Sequence, residues 1–177
     1  MRYLVTGGAG FIGSNIVDEL LRRGQHVVVL DDLSSGKEEN LAGVRSKIDF
    51  RAGSITDLAT VQSACRGIDY VIHLAARTSV PKSVKDPIES NSINIDGTLN
   101  VLVAARDAKV RKVVYSGSST YYGSQNPPSR EDLPPQCLNP YALSKYVGEQ
   151  YCELFTRLYG EDERLARERA EPWRPVR

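Results

Sequence analysis

Five short runs of apolar and β-branched residues recur along the chain, separated by segments of mixed polarity. The runs are YLVTG (3–7), HVVVLD (26–31), IDFRAG (48–53), DYVIHLA (69–75) and KVVYSGS (112–118). They are apolar on both sides instead of alternating, which is typical of parallel strands that are covered on both faces. The pattern therefore predicts five parallel strands.

The segments between these runs have helical patterns, at roughly 11–23, 57–65, 87–108 and 140–159. Alternation of strands and helices indicates βαβ units, and thus a doubly wound, Rossmann-like parallel sheet of the α/β class. Right-handed crossovers place the carboxyl ends of the strands, and any ligand, along one edge of that sheet.

Two segments fall outside this alternation. Residues 124–140 are rich in proline and polar residues and predict a long loop, which is typical of functional or disordered segments. Residues 161–177 are dominated by Glu, Asp and Arg. We therefore expect one domain over residues 1–160, and a charged tail over 161–177 that is partly helical or disordered.

Composition narrows the class of protein. The chain has 177 residues and a formal net charge of +1, so charge gives no reason to expect nucleic acid or an anionic membrane as a partner. Cys65, Cys137 and Cys152 are far apart and follow no metal-ligand spacing, which predicts reduced thiols and no metal site. The first apolar run is too short for a signal peptide or a membrane span, and we expect a cytoplasmic protein.

A glycine-rich turn, VTGGAGFIGS (5–14), joins the first predicted strand to the first predicted helix. Gly7 permits a tight turn, Gly10 lets the backbone approach a pyrophosphate, and Gly13 lets helix and strand pack closely. The helix N-terminus then offers free N–H groups and a positive dipole end to phosphates. A tight strand–helix turn alone would also explain the glycines, but their context favours a dinucleotide.

An acidic pair, Asp31 and Asp32, ends the second predicted strand. An acid at this place accepts hydrogen bonds from the adenosine ribose hydroxyls and repels a 2′-phosphate, which favours NAD over NADP. A helix cap or a loop contact is the structural alternative for Asp31.

The glycine spacing, together with YALSK (141–145), resembles the extended short-chain dehydrogenase/reductase family. DDLSSGKEENL, HLAA, NSINIDGTLN and NPYALSK indicate its nucleotide-sugar epimerase/dehydratase branch. The segment from residue 79 to 110 is most similar to UDP-N-acetylglucosamine 4-epimerases, followed by UDP-glucose 4-epimerases. The similarity covers about residues 1–160. Family members continue into a sixth strand and a substrate domain, so the resemblance implies a chain truncated to the N-terminal half.

Tyr141 and Lys145 are four residues apart and share one face of the predicted helix. A nearby ammonium favours the phenolate, which makes a tyrosine a better base at neutral pH. The resemblance implies that Tyr141 takes a hydroxyl proton while hydride passes to NAD, that Lys145 also holds the nicotinamide ribose, and that Ser118 bonds the reacting sugar oxygen. Ser119 and Thr120 are alternatives to Ser118, and an ordinary helix surface is the alternative for the Tyr–Lys pair.

The resemblance implies further cofactor contacts from the turn, from the strand ends and from the third predicted helix. These residues are Phe11, Ile12, Ser35, Gly36, Ser54, Ile55, Leu74, Ala75, Ala76 and Asn94. Ser54 stands where the family usually has an Asp that meets adenine, so we expect weaker cofactor binding. Asn94 is also expected to pin the backbone near the active site.

Four other positions have structural interpretations. We expect His73 to be a packed core residue and not a base, His26 to begin a strand, and Asp57 to cap a helix. Residues 79–81 form either a sugar-facing loop or only a turn.

Three functions remain open at this point. The first is a nucleotide-sugar 4-epimerase acting on UDP-sugars, with low activity in so short a chain. The second is a non-catalytic NAD(H)-binding module that acts through partners, and the third is a minimal dehydrogenase on small carbonyls. The apolar residues of helices 87–108 and 140–159 exceed what one sheet face can bury, which predicts a homodimer through these helices.

Overall fold

The computed structural model describes residues 1–124 and 130–159. The predicted tail over 161–177, and part of the predicted loop, lie outside the described residues. The strands are β1 (Arg2–Thr6), β2 (His26–Asp31), β3 (Asp49–Ala52), β4 (Tyr70–His73) and β5 (Lys112–Tyr115). The α-helices are α1 (Phe11–Arg22), α2 (Leu58–Cys65), α3 (Val80–Lys85), α4 (Pro87–Asn91), α5 (Gly97–Asp107) and α6 (Pro140–Tyr159).

All five strands are parallel and lie in one sheet with the order β3-β2-β1-β4-β5. The register is set at the centre, where Val5 lies opposite Val29 on one side and Ile72 on the other. This is the doubly wound topology that the sequence predicts. The strand order reverses between β1 and β4, and a crevice opens there at the carboxyl ends of the strands.

The strands are apolar on both sides because both faces of the sheet are packed. One face, which includes Leu4, Val28 and Leu30, packs against residues of α2 and α5. The other face, which includes Val5 and Val29, packs against residues of α1. These two layers hold the strand ends, and the residues that follow them, in fixed positions.

The predicted helix over 87–108 is helical from residue 87 to 107, but it is not α-helical throughout. It consists of α4, a π-helical turn over Ser92–Asp96, and α5. Asp86 caps α4, and its side chain accepts a hydrogen bond from the backbone N–H of Glu89. The π-helical turn interrupts the regular α-helical hydrogen bonding, and its Asn94 bonds to Ser144 of α6.

The segment 79–81 is neither a loop nor only a turn, because it begins α3. The Ser79 side chain accepts a hydrogen bond from the backbone N–H of Lys82, and Pro81 lies in the first turn, where it removes no helical hydrogen bond. In the described residues no helix is both long and apolar enough to span a bilayer. The smaller structural predictions are confirmed for His26, which begins β2, and for Asp57, which caps α2.

Candidate functional site: a dinucleotide turn beside a buried Tyr–Lys pair

Two glycines of the turn are required by close backbone approach. Gly7 has a φ of +70°, and a Cβ there would lie 2.7 Å from the backbone nitrogen of Ala75. A Cβ on Gly13 would collide with the Gly7 carbonyl oxygen and lie 2.7 Å from Cα of Gly8. The turn, the end of β4 and the start of α1 are therefore in direct contact through their main chains.

The N-terminus of α1 is open to an anion. Gly10 is its N-cap and brings no side-chain hydrogen bond to the helix. The N–H groups of Phe11 and Ile12 have no acceptor within the helix, and the two residues are 83% and 60% exposed. Free N–H groups and the helix dipole suit a pyrophosphate, so the residues of the turn fit a dinucleotide.

Asp31 lies at the carboxyl end of β2 and is buried. One carboxylate oxygen accepts a hydrogen bond from the backbone N–H of Ala9 at 2.9 Å, and the other accepts one from Leu33 at 2.9 Å. The carboxylate thus ties the glycine turn to β2. Asp32 is exposed, and it accepts a hydrogen bond from the backbone N–H of Ser34.

The loop after β2 folds back on this carboxylate. A Cβ on Gly36 would lie 2.9 Å from the Ala9 carbonyl carbon and 3.0 Å from a carboxylate oxygen of Asp31. The Ala9 carbonyl accepts hydrogen bonds from the backbone of Lys37 and from the side-chain amide of Asn40. Ser35 is exposed at the rim beside Gly36. These predicted cofactor residues are brought together at one end of the crevice.

The residues after β4 form the opposite wall. The backbone N–H groups of Leu74 and Ala75 donate to the Thr6 hydroxyl at 3.2 and 3.3 Å. Leu74, Ala75 and Ala76 are all half-buried. Their small or inward-packed side chains leave the edge of the crevice clear above the glycine turn.

The side chain of Ile55 lies in the core. It is 4% exposed, and a Cβ on Gly97 would lie 2.6 Å from its terminal methyl group. The Ile55 side chain therefore packs the sheet against α5, and the expected contact of this residue with a cofactor stays a prediction. Ser54, its neighbour, is half-buried, and its hydroxyl lies 3.0 Å from that of Thr56.

Asn94 is a buried brace that joins the segment after β4 to α6. It is 1% exposed, and its side chain accepts a hydrogen bond from the Arg77 N–H at 2.7 Å. Its amide donates to the Arg77 carbonyl at 3.1 Å and to the Ser144 hydroxyl at 2.9 Å. The expected pinning of backbone is therefore present, and the expected contact of Asn94 with a cofactor stays a prediction.

Tyr141 and Lys145 lie one turn apart on α6, and both are buried. The backbone N–H of Tyr141 donates to the Ser83 hydroxyl at 3.1 Å, and the Tyr141 carbonyl accepts from the Ser144 hydroxyl. Burial lowers the pKa of Lys145 to about 8. A lysine with this pKa is poised for proton exchange near neutral pH.

Ser118 is the N-cap of a 3₁₀ helix over Ser119–Tyr122, which packs on α6. Its hydroxyl lies 2.8 Å from the Thr120 hydroxyl and accepts the Thr120 backbone N–H at 3.3 Å. Tyr121 in this helix donates to a Glu149 carboxylate oxygen at 2.6 Å. Ser118 is thereby held on the side of α6.

His73 is a core residue, which confirms its structural interpretation. It is 2% exposed, its Nδ1 lies 2.6 Å from the Thr6 hydroxyl, and its Nε2 lies 3.0 Å from the Thr98 hydroxyl. Thr98 donates its own proton to the Asn94 carbonyl, so its oxygen accepts from His73. Burial, with a smaller effect from nearby Lys145, lowers the pKa of His73 to about 3.

Several residues of the site were missed by sequence reasoning. Ser83 and Ser144 bond to the Tyr141 backbone, and Tyr115 lies against Lys145. A signal existed for Ser144, since it lies between Tyr141 and Lys145 in sequence. None existed for Ser83 or Tyr115, because their contacts depend on how α3 and β5 pack against α6. Within the described residues, no group of three or more His, Cys, Asp or Glu side chains could hold a metal ion.

A family model described as "NAD dependent epimerase/dehydratase family" matches residues 3–165. The chain belongs to this family. The UDP-glucose 4-epimerase of Mycolicibacterium smegmatis is 45% identical over 167 residues, which are 92% of this chain and 53% of that protein. The chain thus spans about half the length of the curated relatives it matches.

Solved structures agree with this assignment. The UDP-glucose 4-epimerase of Thermus thermophilus, in complex with NAD, superposes with a TM-score of 0.85 at 41% identity, over 90% of this chain and 52% of that one. The UDP-N-acetylglucosamine 4-epimerase of Methanobrevibacter ruminantium, in complex with UDP-N-acetylmuramic acid, gives 0.85 at 39% identity, over 91% and 52%. The fold and the family are therefore those that the sequence predicts.

Proposed function

We propose that this chain is the NAD-binding and hydride-transfer part of a nucleotide-sugar 4-epimerase that acts on a UDP-sugar. The observation that carries the proposal is the joint placement of an open glycine turn and a buried Tyr141–Lys145 pair in one family fold. Relatives that match this chain include a UDP-glucose and a UDP-N-acetylglucosamine 4-epimerase. These two classes of UDP-sugar are the proposed substrates.

The proposed cofactor site runs along the crevice. Gly7, Gly10 and the start of α1 hold the pyrophosphate, and Asp31 receives the adenosine ribose hydroxyls. Both oxygens of Asp31 already accept a backbone N–H, and each retains a lone pair for a hydroxyl donor. When bound, NAD supplies the hydride acceptor and donor of the reaction.

Each of the three reactive side chains has a distinct task in the proposal. Tyr141 takes the proton from the sugar hydroxyl and returns it, Ser118 donates or accepts a hydrogen bond at the same oxygen, and Lys145 favours the tyrosinate through its positive charge. The hydroxyl of Tyr141 is a suitable base only while Lys145 is protonated, and the pKa of about 8 on Lys145 leaves most of it charged at neutral pH.

The test is cofactor binding and UDP-sugar turnover by the purified chain. Titration with NAD should show saturable binding, and incubation with UDP-glucose or UDP-N-acetylglucosamine should release the 4-epimer. Tyr141→Phe should lower turnover by about 10²–10⁴-fold and leave NAD binding within about twofold, since the phenol moves a proton and does not hold the dinucleotide. A chain that fails to bind NAD contradicts the proposal. NAD binding with oxidation of small alcohols, and none of UDP-sugars, would assign a minimal dehydrogenase instead.

We also propose a homodimer in the cytoplasm. An exposed apolar stripe supports the dimer: Leu143, Leu154 and Leu158 lie on one side of α6 and are 51%, 38% and 61% exposed. On α4, Ile88 is 82% exposed. A second copy would cover these side chains in a two-fold, helix-to-helix interface. The cytoplasm is supported by the three cysteines, all of which carry thiols and none a disulfide.

A further inference from the structure

Lys145 is a buried cation without a carboxylate partner. It is 4% exposed, and among the described residues no carboxylate lies within ion-pair distance of its Nζ. The carboxylate that follows it by one turn, Glu149, accepts a hydrogen bond from Tyr121 instead. A buried ammonium needs some other favourable contact to remain charged.

That contact comes from Tyr115, the last residue of β5. Nζ of Lys145 lies 4.0 Å from the centroid of the Tyr115 ring, within the range of a cation–π interaction. The Tyr115 hydroxyl donates to the backbone carbonyl of the same lysine at 3.1 Å. Burial raises the pKa of Tyr115, so the phenol stays protonated and remains a donor. One tyrosine thus contacts both ends of one lysine.

The sequence of α6 is adapted to this contact. A Cβ on Gly148 would collide with the Tyr115 hydroxyl and lie 2.8 Å from the ring carbon that carries it. Gly148 is in the interior of α6, where glycine costs helix stability relative to alanine. Gly117 makes room for Tyr121 in the same way, since a Cβ on Gly117 would lie 2.6 Å from the Tyr121 hydroxyl. Both glycines leave room for a tyrosine hydroxyl between β5 and α6.

We propose that Tyr115 is a positioning residue for Lys145. Its ring face stabilises the ammonium and its hydroxyl holds the carbonyl, so that the end of β5 fixes both the charge and the location of the lysine. The role of Lys145 in proton transfer rests on the proposed function, whereas its contact with Tyr115 does not. Other titratable groups act electrostatically on this pair in the described structure: His73, Tyr121, Tyr141, Glu149 and Cys152.

The direct test is the titration of Lys145 in the purified chain, without substrate. The ¹³C shift of lysine Cε is followed against pH by NMR, and the Lys145 resonance is assigned by its loss in Lys145→Met. Tyr115→Leu removes the ring, and the pKa of Lys145 should fall by about 0.5–1.5 pH units. Tyr115→Phe keeps the ring and removes only the hydroxyl, and the shift should be less than half as large. The other lysine resonances should not move.

Two results would overturn the proposal. The first is a Lys145 titration that is the same in the parent, in Tyr115→Leu and in Tyr115→Phe. The second is an equal fall in both variants, which would assign the effect to the hydroxyl bond and helix position alone. Circular dichroism verifies the fold, and if Tyr115→Leu does not fold, Gly148→Ala displaces the ring without deleting it and should lower the same pKa.

Epimerisation provides an independent readout. If the proposed function holds, the alkaline limb of the pH profile of kcat, where Lys145 loses its proton, should move to lower pH in Tyr115→Leu together with the NMR titration. If the chain does not epimerise UDP-sugars but the titration shifts as stated, the proposed function fails and the Tyr115 contact stands. If the chain epimerises UDP-sugars but the Lys145 titration is unchanged in Tyr115→Leu, the proposed function stands and the role of Tyr115 fails.

Discussion

Asp31 has two tasks at the residue scale, and they can be separated. Its charge is proposed to exclude a 2′-phosphate, while its two oxygens hold the backbone N–H groups of Ala9 and Leu33. Asp31→Ala would remove both and leave buried donors unsatisfied, at a cost of about 1–3 kcal/mol each. Loss of cofactor binding in that variant would therefore not report on charge.

Asp31→Asn is the sharper change, because it removes the charge and keeps an acceptor oxygen. We expect the preference for NAD over NADP to weaken by about tenfold or more, measured as the ratio of the two dissociation constants. Asp32→Asn is the matched control, since Asp32 is adjacent but exposed, and its effect should be smaller. NADP binding as tight as NAD binding in the parent chain would contradict the assignment.

We expect His73 to make the free energy of unfolding fall as the pH is lowered below about 6.5. Its pKa is about 3 in the folded chain and 6.5 in the unfolded reference, so between these values the unfolded state binds more protons. Its contribution to stability is complete above pH 6.5 and is lost as pH falls towards 3, by an amount on the order of several kcal/mol.

We expect His73→Gln to flatten this dependence. Urea unfolding at a series of pH values measures the free energy of unfolding of both proteins. Below pH 6, the parent should lose about 1 kcal/mol or more per pH unit relative to His73→Gln. The slopes are compared and not the absolute stabilities, because glutamine need not fill the site as well. Parallel curves over this range would show that His73 is not the group responsible.

Residues whose roles follow from local backbone requirements could be predicted from the sequence. Gly7 and Gly13 were found because a strand–turn–helix imposes their positions, and Tyr141 with Lys145 because their spacing matches one helical turn. Ile55 and Asn94 are expected to contact the cofactor, which stays a prediction; that both side chains are buried could not be told from the sequence. Tyr115 had no signal in the sequence, since its partner is 30 residues away on another element.

At the scale of elements, the five parallel strands and the helix over 140–159 followed from the sequence pattern, whereas the π-helical turn within the predicted helix 87–108 did not. The π-helical turn over Ser92–Asp96 arises where Asn94 bonds sideways to Arg77 and Ser144. A periodicity of apolar residues cannot reveal a local widening that is held by a side-chain amide. The cap of α3 at Ser79 was visible in the sequence and was not recognised.

The π-helical turn offers a prediction at this scale. Asn94→Ala removes three hydrogen bonds and leaves the Arg77 N–H and carbonyl without their partner, so we expect a loss of about 2–4 kcal/mol in the free energy of unfolding. Ser144→Ala removes only one of the three, and about 1 kcal/mol is expected. Chemical denaturation measures both. Equal stability of parent and Asn94→Ala would show that the turn does not depend on this amide.

At the scale of the whole molecule, β3 and β5 are the two edge strands of the sheet, each with a single neighbour in the described residues. β5 has one neighbour, β4, and its Val114 is half exposed. The relatives that the chain matches are about twice as long. A parallel sheet is normally covered on both faces, so apolar surface near β5 and along α6 calls for a further covering surface.

The proposed dimer requires the apolar stripe of α6 to be buried in the interface. Leu154→Glu places a charge in the apolar stripe, and we expect the dissociation constant of the dimer to rise by at least about 100-fold, since a buried, unpaired carboxylate costs several kcal/mol. Leu58→Glu on α2 is the matched control, because both leucines are 38% exposed and only one lies on the stripe. Sedimentation equilibrium at micromolar concentration distinguishes the outcomes. A parent chain that sediments as a monomer, or a control that dissociates as readily as Leu154→Glu, would reject an interface through α6.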